Sequence, residues 1–395
     1  MPVPEIIIDT IRHQGPLSFR DFMEMALYYP EKGYYASACD RLGVNGDFYT
    51  SPYLTRLFGD MLAGQLEEMW RNMGCQPFTI VEYGAGTGLL CRDILVRLRD
   101  NREMFEALQY VIIEKSSPMR RRERELLAAE GFLHKLRWEN SIDAVAPVHG
   151  CILSNELVDN FAVHQVVMEE ELMEVFVGYE NEGFVELLRP ATTDLKNYLS
   201  ELQVTLPRGF RAEINLDATR WIKEVSAALG HGFVITIDYG NSSSGLYTHS
   251  EGTLTCYHRH QANHSPYEAV GEQDITSDVN FSALDHWGRQ GGLEHCGFTS
   301  QTRFLQGLGL NRRLQQLERD AAGADAAVLC GNSTHMTAPH GHASNGDPAD
   351  LARQLDLRKL YTLLIGMGSK FKVLIQRKGL ARQFLSGLQF AQVLA

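Results

Sequence analysis

The 395-residue chain lacks the features by which several protein classes are recognised. Its first residues, Met1–Glu5, show neither the basic start nor the apolar run of a signal peptide, and they lack the arginines of a transit peptide. No apolar stretch is long enough to cross a membrane. We therefore expect a cytoplasmic protein without membrane insertion.

Paired cysteines are also missing. The seven cysteines are scattered along the chain and form no C-x-x-C pair. An odd, dispersed set favours reduced thiols in a cytosol-like compartment over a disulfide framework.

Basic residues are fewer than acidic residues. The chain has 37 Lys and Arg against 49 Asp and Glu, which gives a formal net charge of −12. Because phosphate binding normally requires a basic footprint, this balance disfavours a nucleic-acid partner. A guanidinium or amine substrate suits it better. Hydrophobic residues make up 44% of the chain, so a sizeable core can form.

Short apolar runs rich in β-branched residues alternate with helical patterns from Pro77 onwards. This alternation predicts an α/β fold with a doubly wound, mostly parallel sheet. The predicted strands are Phe78–Val81, Tyr110–Ile113, Cys151–Leu153 and Phe233–Ile237, with helices at Leu89–Leu98 and Pro118–Ala129. A closing pair of strands is predicted at Phe298–Phe304 and Phe371–Gln376.

The same patterns predict four regions along the chain. Residues 1–75 form a helical N-terminal region, and 76–165 form the first half of the core. Residues 166–230 form an inserted subdomain that contains a hairpin near Tyr179–Glu186. Residues 231–395 complete the core. Within this last region, residues 331–349 are polar and turn-rich, which predicts a mobile loop.

A strand, a glycine turn and a helix follow one another from Thr79 to Leu98. The turn reads Glu82-Tyr83-Gly84-Ala85-Gly86-Thr87-Gly88. Alternate glycines let the backbone bend sharply and let a ligand approach with no Cβ in the way. The helix that begins near Leu89 directs its N–H groups at that ligand, which for S-adenosylmethionine (SAM) is the methionine carboxylate.

This turn differs from two other nucleotide-binding signatures. Leu89 or Cys91 stands where the dinucleotide fingerprint needs its third glycine or alanine, and the turn has no Walker lysine. The pattern E-x-G-x-G-x-G instead resembles the first motif of class I methyltransferases. SAM is therefore the expected cofactor, and the expected contacts in the turn are Glu82, Gly84, Ala85, Gly86 and Gly88.

Two further positions are candidates for the adenosine half of the cofactor. Glu114 ends the next predicted strand, where a carboxylate can accept hydrogen bonds from both ribose hydroxyls. The alternative is a solvated acid at a strand end. One strand further, residues 138–143 lie where such enzymes hold adenine, with Ser141 and Ile142 as expected contacts. The alternative for that segment is an ordinary loop.

Several motifs extend the resemblance beyond a fold class. Residues 46–52, Gly-Asp-Phe-Tyr-Thr-Ser-Pro, resemble the GDF-x-TSP signature of the MidA-like family. Residues 154–164 resemble the family's segment that begins with Asn-Glu and ends with His. Further matches follow in the family order at 237–240, 252–257, 271–276 and 367–374. These motifs span most of the chain, from roughly residue 15 to 376.

The resemblance implies a SAM-dependent methyltransferase with a protein partner. Mitochondrial members of the family methylate an arginine of a respiratory complex I subunit, so a complex I subunit or a similar protein is the implied substrate. The resemblance also implies that Asp47, Thr50 and Ser51 belong to a lid over the cofactor, although a turn and an ordinary helix cap would use the same residues. Ala162 and Asn280 depart from the family pattern, which has a proline and an aspartate there.

Glu156, Asp159 and Asn155 follow the fourth core strand at the carboxyl edge of the predicted sheet. Carboxylates orient a guanidinium through bidentate hydrogen bonds and localise its charge away from the attacking nitrogen. We predict Glu156 as the principal guanidinium ligand, Asp159 as its support on the same helical turn, and Asn155 as a positioning group that also contacts the cofactor. The alternative is that the two acids cap that helix.

Three functions remain open at this stage. The first is a protein-arginine methyltransferase, and the second is a non-catalytic assembly factor that binds SAM structurally. The third, a nicotinamide-dependent oxidoreductase, is disfavoured by the missing glycine. We expect no metal site, because the spacing of His258, His260 and His264 lacks a nearby cysteine. The oligomeric state is not predicted.

Overall fold

The computed structural model describes residues 1–36, 55–259, 261–316, 319, 368–392 and 394. The helices within these ranges are α1 (Val3–Gln14), α2 (Phe19–Tyr28), α3 (Arg56–Asn72), α4 (Leu89–Leu98), α5 (Arg102–Ala107), α6 (Ser117–Ala129), α7 (Thr193–Glu201), α8 (Leu216–Ala228), α9 (Ser243–Leu246), α10 (Phe281–Gln290) and α11 (Gln301–Gly307). None of these helices is long and apolar enough to span a bilayer.

The strands of the described ranges form three sheets. They are β1 (Leu17–Ser18), β2 (Phe78–Tyr83), β3 (Leu108–Ile113), β4 (Leu136–Glu139), β5 (Val148–Asn155), β6 (His164–Met168), β7 (Leu172–Glu180), β8 (Gly183–Pro190), β9 (Arg211–Ile214), β10 (Leu229–Asn241), β11 (Thr255–His258), β12 (Gln261–Asn263), β13 (Asp274–Thr276), β14 (Val279–Asn280), β15 (Glu294–Ser300) and β16 (Phe371–Lys378).

The largest sheet has the order β15-β16-β10-β5-β2-β3-β4, with β14 beside the end of β10. Strands β4, β3, β2, β5 and β10 are parallel, whereas β16 runs antiparallel to both β10 and β15. This arrangement confirms the predicted α/β, doubly wound sheet. The chain moves outward in one direction from β2 to β3 and in the other from β2 to β5. Ligands of open α/β sheets bind at the carboxyl ends of the strands at such a switch point.

Alternate side chains of the central strands enter two separate cores. Ile80 of β2 packs with Phe58 and Ile94, from α3 and α4, on one face. Val81, the next residue, packs with Ile222 of α8 on the other. Successive residues of a strand point to opposite faces, so a strand covered by helices on both sides is apolar throughout, and this is the pattern that the sequence showed.

A five-stranded antiparallel sheet has the order β1-β7-β6-β9, with β8 on the other edge of β7. The expected hairpin is present and longer than predicted, because β7 and β8 pair over their full lengths. Its turn places Asn181 at φ 49° and Glu182 at φ 63°, as a type I′ turn requires. Helices α1 and α2 pack on this sheet through a third core that includes Ile7, Phe22 and Val175.

Two local predictions differ from the structure. The strand predicted to reach Phe304 ends at Ser300, because the Ser300 hydroxyl accepts a hydrogen bond from the Arg303 N–H and begins α11. The helix cap predicted at Ser51 lies outside the described residues. In the described part, Thr55 precedes α3 and accepts from the Leu57 N–H at 3.2 Å. The predicted loop at 331–349 is also outside the described residues.

Candidate functional site

The glycines of the turn after β2 adopt backbone conformations that residues other than glycine rarely adopt. Gly84, Gly86 and Gly88 have φ values of 62°, 58° and 81°. A Cβ added to Gly86 would meet no atom of the described residues within 4 Å, so among these residues this side of the turn is open to a ligand. A Cβ at Gly84 would lie 3.0 Å from Leu157 Cδ1. The glycine turn and the segment after β5 are therefore in close contact at the switch point.

Helix α4 begins directly at this turn. Gly88 is its N-cap residue and offers no side chain to the first-turn N–H groups. These donors and the positive end of the helix dipole suit an anionic group held against the turn. A methionine carboxylate meets that requirement, so the open glycine turn and the helix end fit the cofactor that the motif predicts.

Glu82 does not line the open side of the turn. Its side chain is 2% exposed, and its carboxylate accepts a hydrogen bond of 2.7 Å from the Tyr110 hydroxyl in the neighbouring strand β3. Burial raises the pKa of Glu82 to about 7, against the opposing effect of the Tyr110 bond. The residue supports the turn from the sheet side, and any effect on the cofactor passes through the backbone.

Glu114 lies at the carboxyl end of β3, as predicted. Its Oε1 accepts a 2.6 Å hydrogen bond from the Ser116 N–H, which fixes the carboxylate at the strand end. Burial raises its pKa, while the neighbouring backbone N–H groups lower it. Arg120, which the sequence did not single out, donates to the main-chain oxygens of Glu114 at 2.6 Å and Glu139 at 2.8 Å. It therefore ties together the ends of β3 and β4.

The two predicted adenine contacts differ in exposure. Ser141 is exposed and precedes the 3₁₀ turn Ile142–Ala144. The Ile142 side chain is 2% exposed and belongs to the core beneath the sheet. At Ile142, therefore, the backbone can contact a ligand and the side chain cannot.

A second buried glutamate lies near the glycine turn and was missed by the sequence analysis. Glu123 of α6 is 0% exposed, and its Oε2 accepts from Trp138 Nε1 at 2.7 Å. Its Oε1 has no hydrogen-bond partner among the described residues. Burial, together with the charge of Glu114, raises the pKa of Glu123 to about 8. A Cβ at Gly88 would lie 3.4 Å from Glu123 Cα, so α6 packs closely on the turn.

The segment after β5 is a strained turn and not the predicted start of an α-helix. Glu156 has φ 53°, and its N–H donates to the Ile237 oxygen at 2.9 Å. Asn155 Nδ2 donates to Glu156 Oε1 at 3.2 Å, so the two predicted site residues are in contact. The 3₁₀ turn Val158–Asn160 follows. A left-handed glutamate costs about 1–3 kcal/mol and persists only where the surroundings impose it.

The cap of this turn comes from a different strand. Asp238 of β10 accepts hydrogen bonds at its Oδ2 from the N–H groups of Leu157 (3.1 Å), Val158 (2.8 Å) and Asp159 (3.4 Å). Asp238 is separated from the turn by about eighty residues, so no local sequence pattern indicates that it caps this turn. Neither Glu156 nor Asp159 serves as the cap.

The Asp159 side chain is buried and does not lie at the protein surface. Its side chain is 3% exposed, and its Oδ1 has no hydrogen-bond partner among the described residues. Burial and the charges of Asp238, Asp274 and Glu156 raise its pKa well above the usual range. Four carboxyl groups thus meet at the carboxyl edge of the sheet, beside the glycine turn. A cationic substrate group among these carboxyls would favour their ionised forms and be held by them.

The predicted lid residues Asp47, Thr50 and Ser51 lie outside the described residues, as does His260. His264 Nδ1 lies 2.9 Å from the Leu254 oxygen. In the described ranges, no three His, Cys, Asp or Glu side chains are arranged to hold a metal ion.

Comparison with known proteins identifies relatives over most of the chain. A sequence profile of the family described as "Putative S-adenosyl-L-methionine-dependent methyltransferase" matches residues 61–299. Among solved structures, a Burkholderia thailandensis protein bound to S-adenosyl-homocysteine superposes with a TM-score of 0.83 at 27% identity, covering 98% of this chain and 95% of that one.

Two curated relatives are named as arginine methyltransferases. The mouse protein "Protein arginine methyltransferase NDUFAF7, mitochondrial" is 28% identical over 353 residues, which cover 82% of this chain and 78% of the relative. The Drosophila melanogaster homologue is 26% identical, covering 82% and 79%. Both names place the proteins in mitochondria, and this finding contradicts the cytoplasmic location that we expected from the composition and the first residues.

Proposed function

We infer the activity of this chain from its family: it belongs to the S-adenosyl-L-methionine-dependent methyltransferases whose profile matches residues 61–299. The predicted family, enzyme class and cofactor are thereby confirmed, and the similar structure bound to S-adenosyl-homocysteine agrees with them. The chain is a SAM-dependent methyltransferase with a class I fold.

We further propose that the methyl acceptor is an arginine side chain of a protein, and that this protein is a respiratory complex I subunit or one like it. The observation that carries the proposal is the group of carboxyls at the carboxyl edge of the sheet, where Asp238, Asp274 and Glu156 lie near enough to the buried Asp159 to raise its pKa. A guanidinium, which presents five N–H donors in one plane, suits a site with several carboxylates. The names of the mouse and Drosophila relatives support the same acceptor.

The cofactor residues are proposed as follows. When bound, SAM supplies a methyl group on a sulfonium. The N–H groups at the start of α4 hold its carboxylate across the open face of Gly84, Ala85, Gly86 and Gly88, with Glu82 supporting the turn from the sheet side. Glu114 accepts the ribose hydroxyls, and Ser141 with the Ile142 backbone borders the adenine. Asn155 is proposed as a further contact, and Asp47, Thr50 and Ser51 stay predicted contacts because they lie outside the described residues.

The acceptor residues are proposed to bring the guanidinium into line. A guanidinium nitrogen is a poor nucleophile because the group stays protonated (pKa about 12.5 or above). Glu156 is the principal ligand, and its bidentate hydrogen bonds draw the positive charge away from the attacking nitrogen. Asp159 supports it from a buried position, and Asn155 holds the Glu156 carboxylate at 3.2 Å.

Cofactor binding is tested by titrating wild type and Gly86→Val with S-adenosyl-homocysteine in a calorimeter. The valine places a branched side chain in the open space of the turn and at φ 58°, which is unfavourable for it. We expect micromolar binding by wild type and at least about a tenfold loss in the variant. Equal affinities would contradict the cofactor position.

Arginine methylation is tested by incubating the enzyme with radiolabelled SAM and unmethylated complex I from cells that lack the enzyme, followed by amino-acid analysis. Wild type should produce methylarginine, and Glu156→Ala should lose at least about a hundredfold in kcat while it still binds S-adenosyl-homocysteine. Label on lysine, or on no protein, would contradict the proposed acceptor.

The second candidate, a SAM-binding assembly factor without catalysis, makes a different prediction. If Glu156→Ala abolished methylation but complex I still assembled fully in cells, partner binding would be the essential activity.

A further inference from the structure

Two tyrosines of the N-terminal region hold the end of the turn that follows Glu156. Tyr28, in α2, donates a 2.9 Å hydrogen bond to the main-chain oxygen of Asn160. The Tyr35 hydroxyl lies 2.8 Å from Asn160 Oδ1 and 2.7 Å from Asp274 Oδ2, and its single hydrogen serves one of these acceptors at a time. The two rings stack with their centroids 5.6 Å apart. Asn160 is thus held at both its main chain and its side chain.

Asn160 links these tyrosines to Glu156. Its Nδ2 lies 3.5 Å from the main-chain oxygen of Glu156, which is a long hydrogen bond. Glu156 itself has φ 53°, a conformation that a non-glycine residue keeps only when its surroundings impose it. Its N–H is fixed from one side by the Ile237 oxygen. On the other side, the Glu156 carbonyl is in contact with Asn160.

The chemistry of the tyrosines suits a permanent hydrogen-bonding role. Burial and the nearby Asp274 carboxylate raise the pKa of Tyr28 and of Tyr35 well above its usual range. Both hydroxyls therefore stay protonated at physiological pH and remain donors.

We propose that Tyr35 and Asn160 are positioning residues for methyl transfer, which hold Glu156 in the left-handed conformation that turns its carboxylate toward the acceptor arginine. The inference rests on the proposed function, because Glu156 is the residue through which they act. Neither residue needs to touch the acceptor or the cofactor.

The first test compares Tyr35→Phe with a matched control, Tyr267→Phe. Tyr267 packs against Phe22 in the same N-terminal core, and its hydroxyl also donates to a carboxylate, that of Glu186, at 2.9 Å. Both substitutions therefore remove one hydroxyl from the same core. We expect Tyr35→Phe to lower kcat for methylation of complex I by about tenfold or more, and Tyr267→Phe to leave it within about twofold. Binding of S-adenosyl-homocysteine should be unchanged in both. A kcat for Tyr35→Phe equal to the control would overturn the proposal.

A double mutant separates positioning from general structural damage. In a Glu156→Ala background the residue being positioned has no carboxylate, so adding Tyr35→Phe should cause no further loss of kcat. If Tyr35→Phe lowered kcat by the same factor in both backgrounds, the tyrosine would act independently of Glu156 and the proposal would fail.

Hydrogen exchange of the enzyme alone provides a readout that needs no substrate. Tyr35→Phe and Asn160→Ala should each speed amide exchange in peptides covering residues 154–162 by about tenfold, whereas Tyr267→Phe should not. Unchanged exchange in these peptides would overturn the positioning role. A wild type that methylates no arginine but shows the expected exchange pattern would contradict the proposed function and leave the Tyr35–Asn160–Glu156 connection in place.

Discussion

The buried carboxyl of Glu123 makes the stability of the fold depend on pH. Its carboxyl is fully buried, one oxygen has no partner in the described part of the chain, and burial raises its pKa from 4.5 to about 8. Below about pH 4.5 the carboxyl is neutral in both the folded and the unfolded state, so its raised pKa costs the fold no free energy. As the pH rises from about 4.5 to about 8, the unfolded state loses this proton while the folded state keeps it, and the free energy of unfolding falls.

We therefore predict that Glu123→Gln is more stable than wild type at pH 8.5, by up to roughly 4 kcal/mol, and nearly equal to it at pH 4.5. The glutamine oxygen can still accept from Trp138 Nε1, and the substitution replaces the ionisable carboxyl with a neutral amide of nearly the same shape. Urea unfolding at both pH values measures the difference. Glu125→Gln, an exposed change in the same helix, should show no such pH dependence. Parallel pH profiles for wild type and Glu123→Gln would contradict this explanation.

Glu114 carries a prediction about affinity at the same scale. An amide can accept only at one atom, so Glu114→Gln removes one of the two acceptors proposed for the ribose hydroxyls along with the charge. We expect the Kd for S-adenosyl-homocysteine to rise by about 10- to 100-fold, as the loss of a hydrogen bond to a charged group implies. Calorimetry measures this change.

The control for that measurement is Glu106→Gln, an exposed change just before the amino end of the same strand. Its affinity should match that of wild type. An unchanged Kd for Glu114→Gln would contradict the proposal that Glu114 binds the ribose hydroxyls.

At the scale of the elements, the centre of the sheet depends on backbone contact. Gly150 of β5 lies between Thr79 of β2 and Gly232 of β10. A Cβ at Gly150 would lie 2.1 Å from the Thr79 oxygen, and Gly150 has φ 149°. Backbone atoms of a central strand cannot move aside as a flexible side chain can, so this position requires glycine.

We predict that Gly150→Ala destabilises the protein by more than about 3 kcal/mol, because the neighbouring strands must separate locally. Gly64→Ala serves as the matched change. Gly64 lies inside α3, where an added Cβ meets no atom of the described part of the chain within 4 Å, and the alanine should stabilise the helix by about 0.5–1 kcal/mol. Chemical unfolding of both variants checks the pair. Similar stabilities for the two variants would show that the sheet adjusts more freely than these contacts imply.

The whole molecule carries a net charge of −12, and its carboxyl-rich site faces a substrate that we propose to be cationic. Such a charge attracts cations over long distances, and dissolved salt screens this attraction. The Debye length, over which the attraction decays, is about 10 Å at 0.1 M salt. We predict that the KM for the arginine substrate rises several-fold between about 20 mM and 300 mM salt. The Kd for S-adenosyl-homocysteine, which has no net charge, should change far less. A salt-independent KM would mean that the acidic surface does not guide the substrate.

The assignment of regions belongs to the same scale. The division at 1–75, 76–165, 166–230 and 231–395 stays a prediction. The structure adds one connection to it. The Arg20 guanidinium of α2 donates to Asp217 of α8 at 2.8 Å, so the N-terminal helices contact the core as well as the antiparallel sheet.

The sequence by itself determined the central features of this enzyme. Apolar runs predicted parallel strands, and the spacing of Gly84, Gly86 and Gly88 predicted a turn that binds SAM, because both signals are local. Helix α4 was predicted at Leu89–Leu98 and begins and ends there. Strand ends were less well predicted: β5 extends to Val148 past Gly150, a residue whose role depends on the strands beside it.

Only the tertiary structure decided how the acceptor side is arranged. Asp238 caps a turn about eighty residues away, Tyr35 meets Asp274 across 239 residues, and Asp159 is buried instead of facing the cleft beside Glu156. These contacts join segments that are distant in sequence, so neither spacing nor periodicity contains them. A hydrogen bond between such residues exists only once the sheet has brought the carboxyl ends of its strands together, and for that reason the positioning of Glu156 could be read from the fold alone.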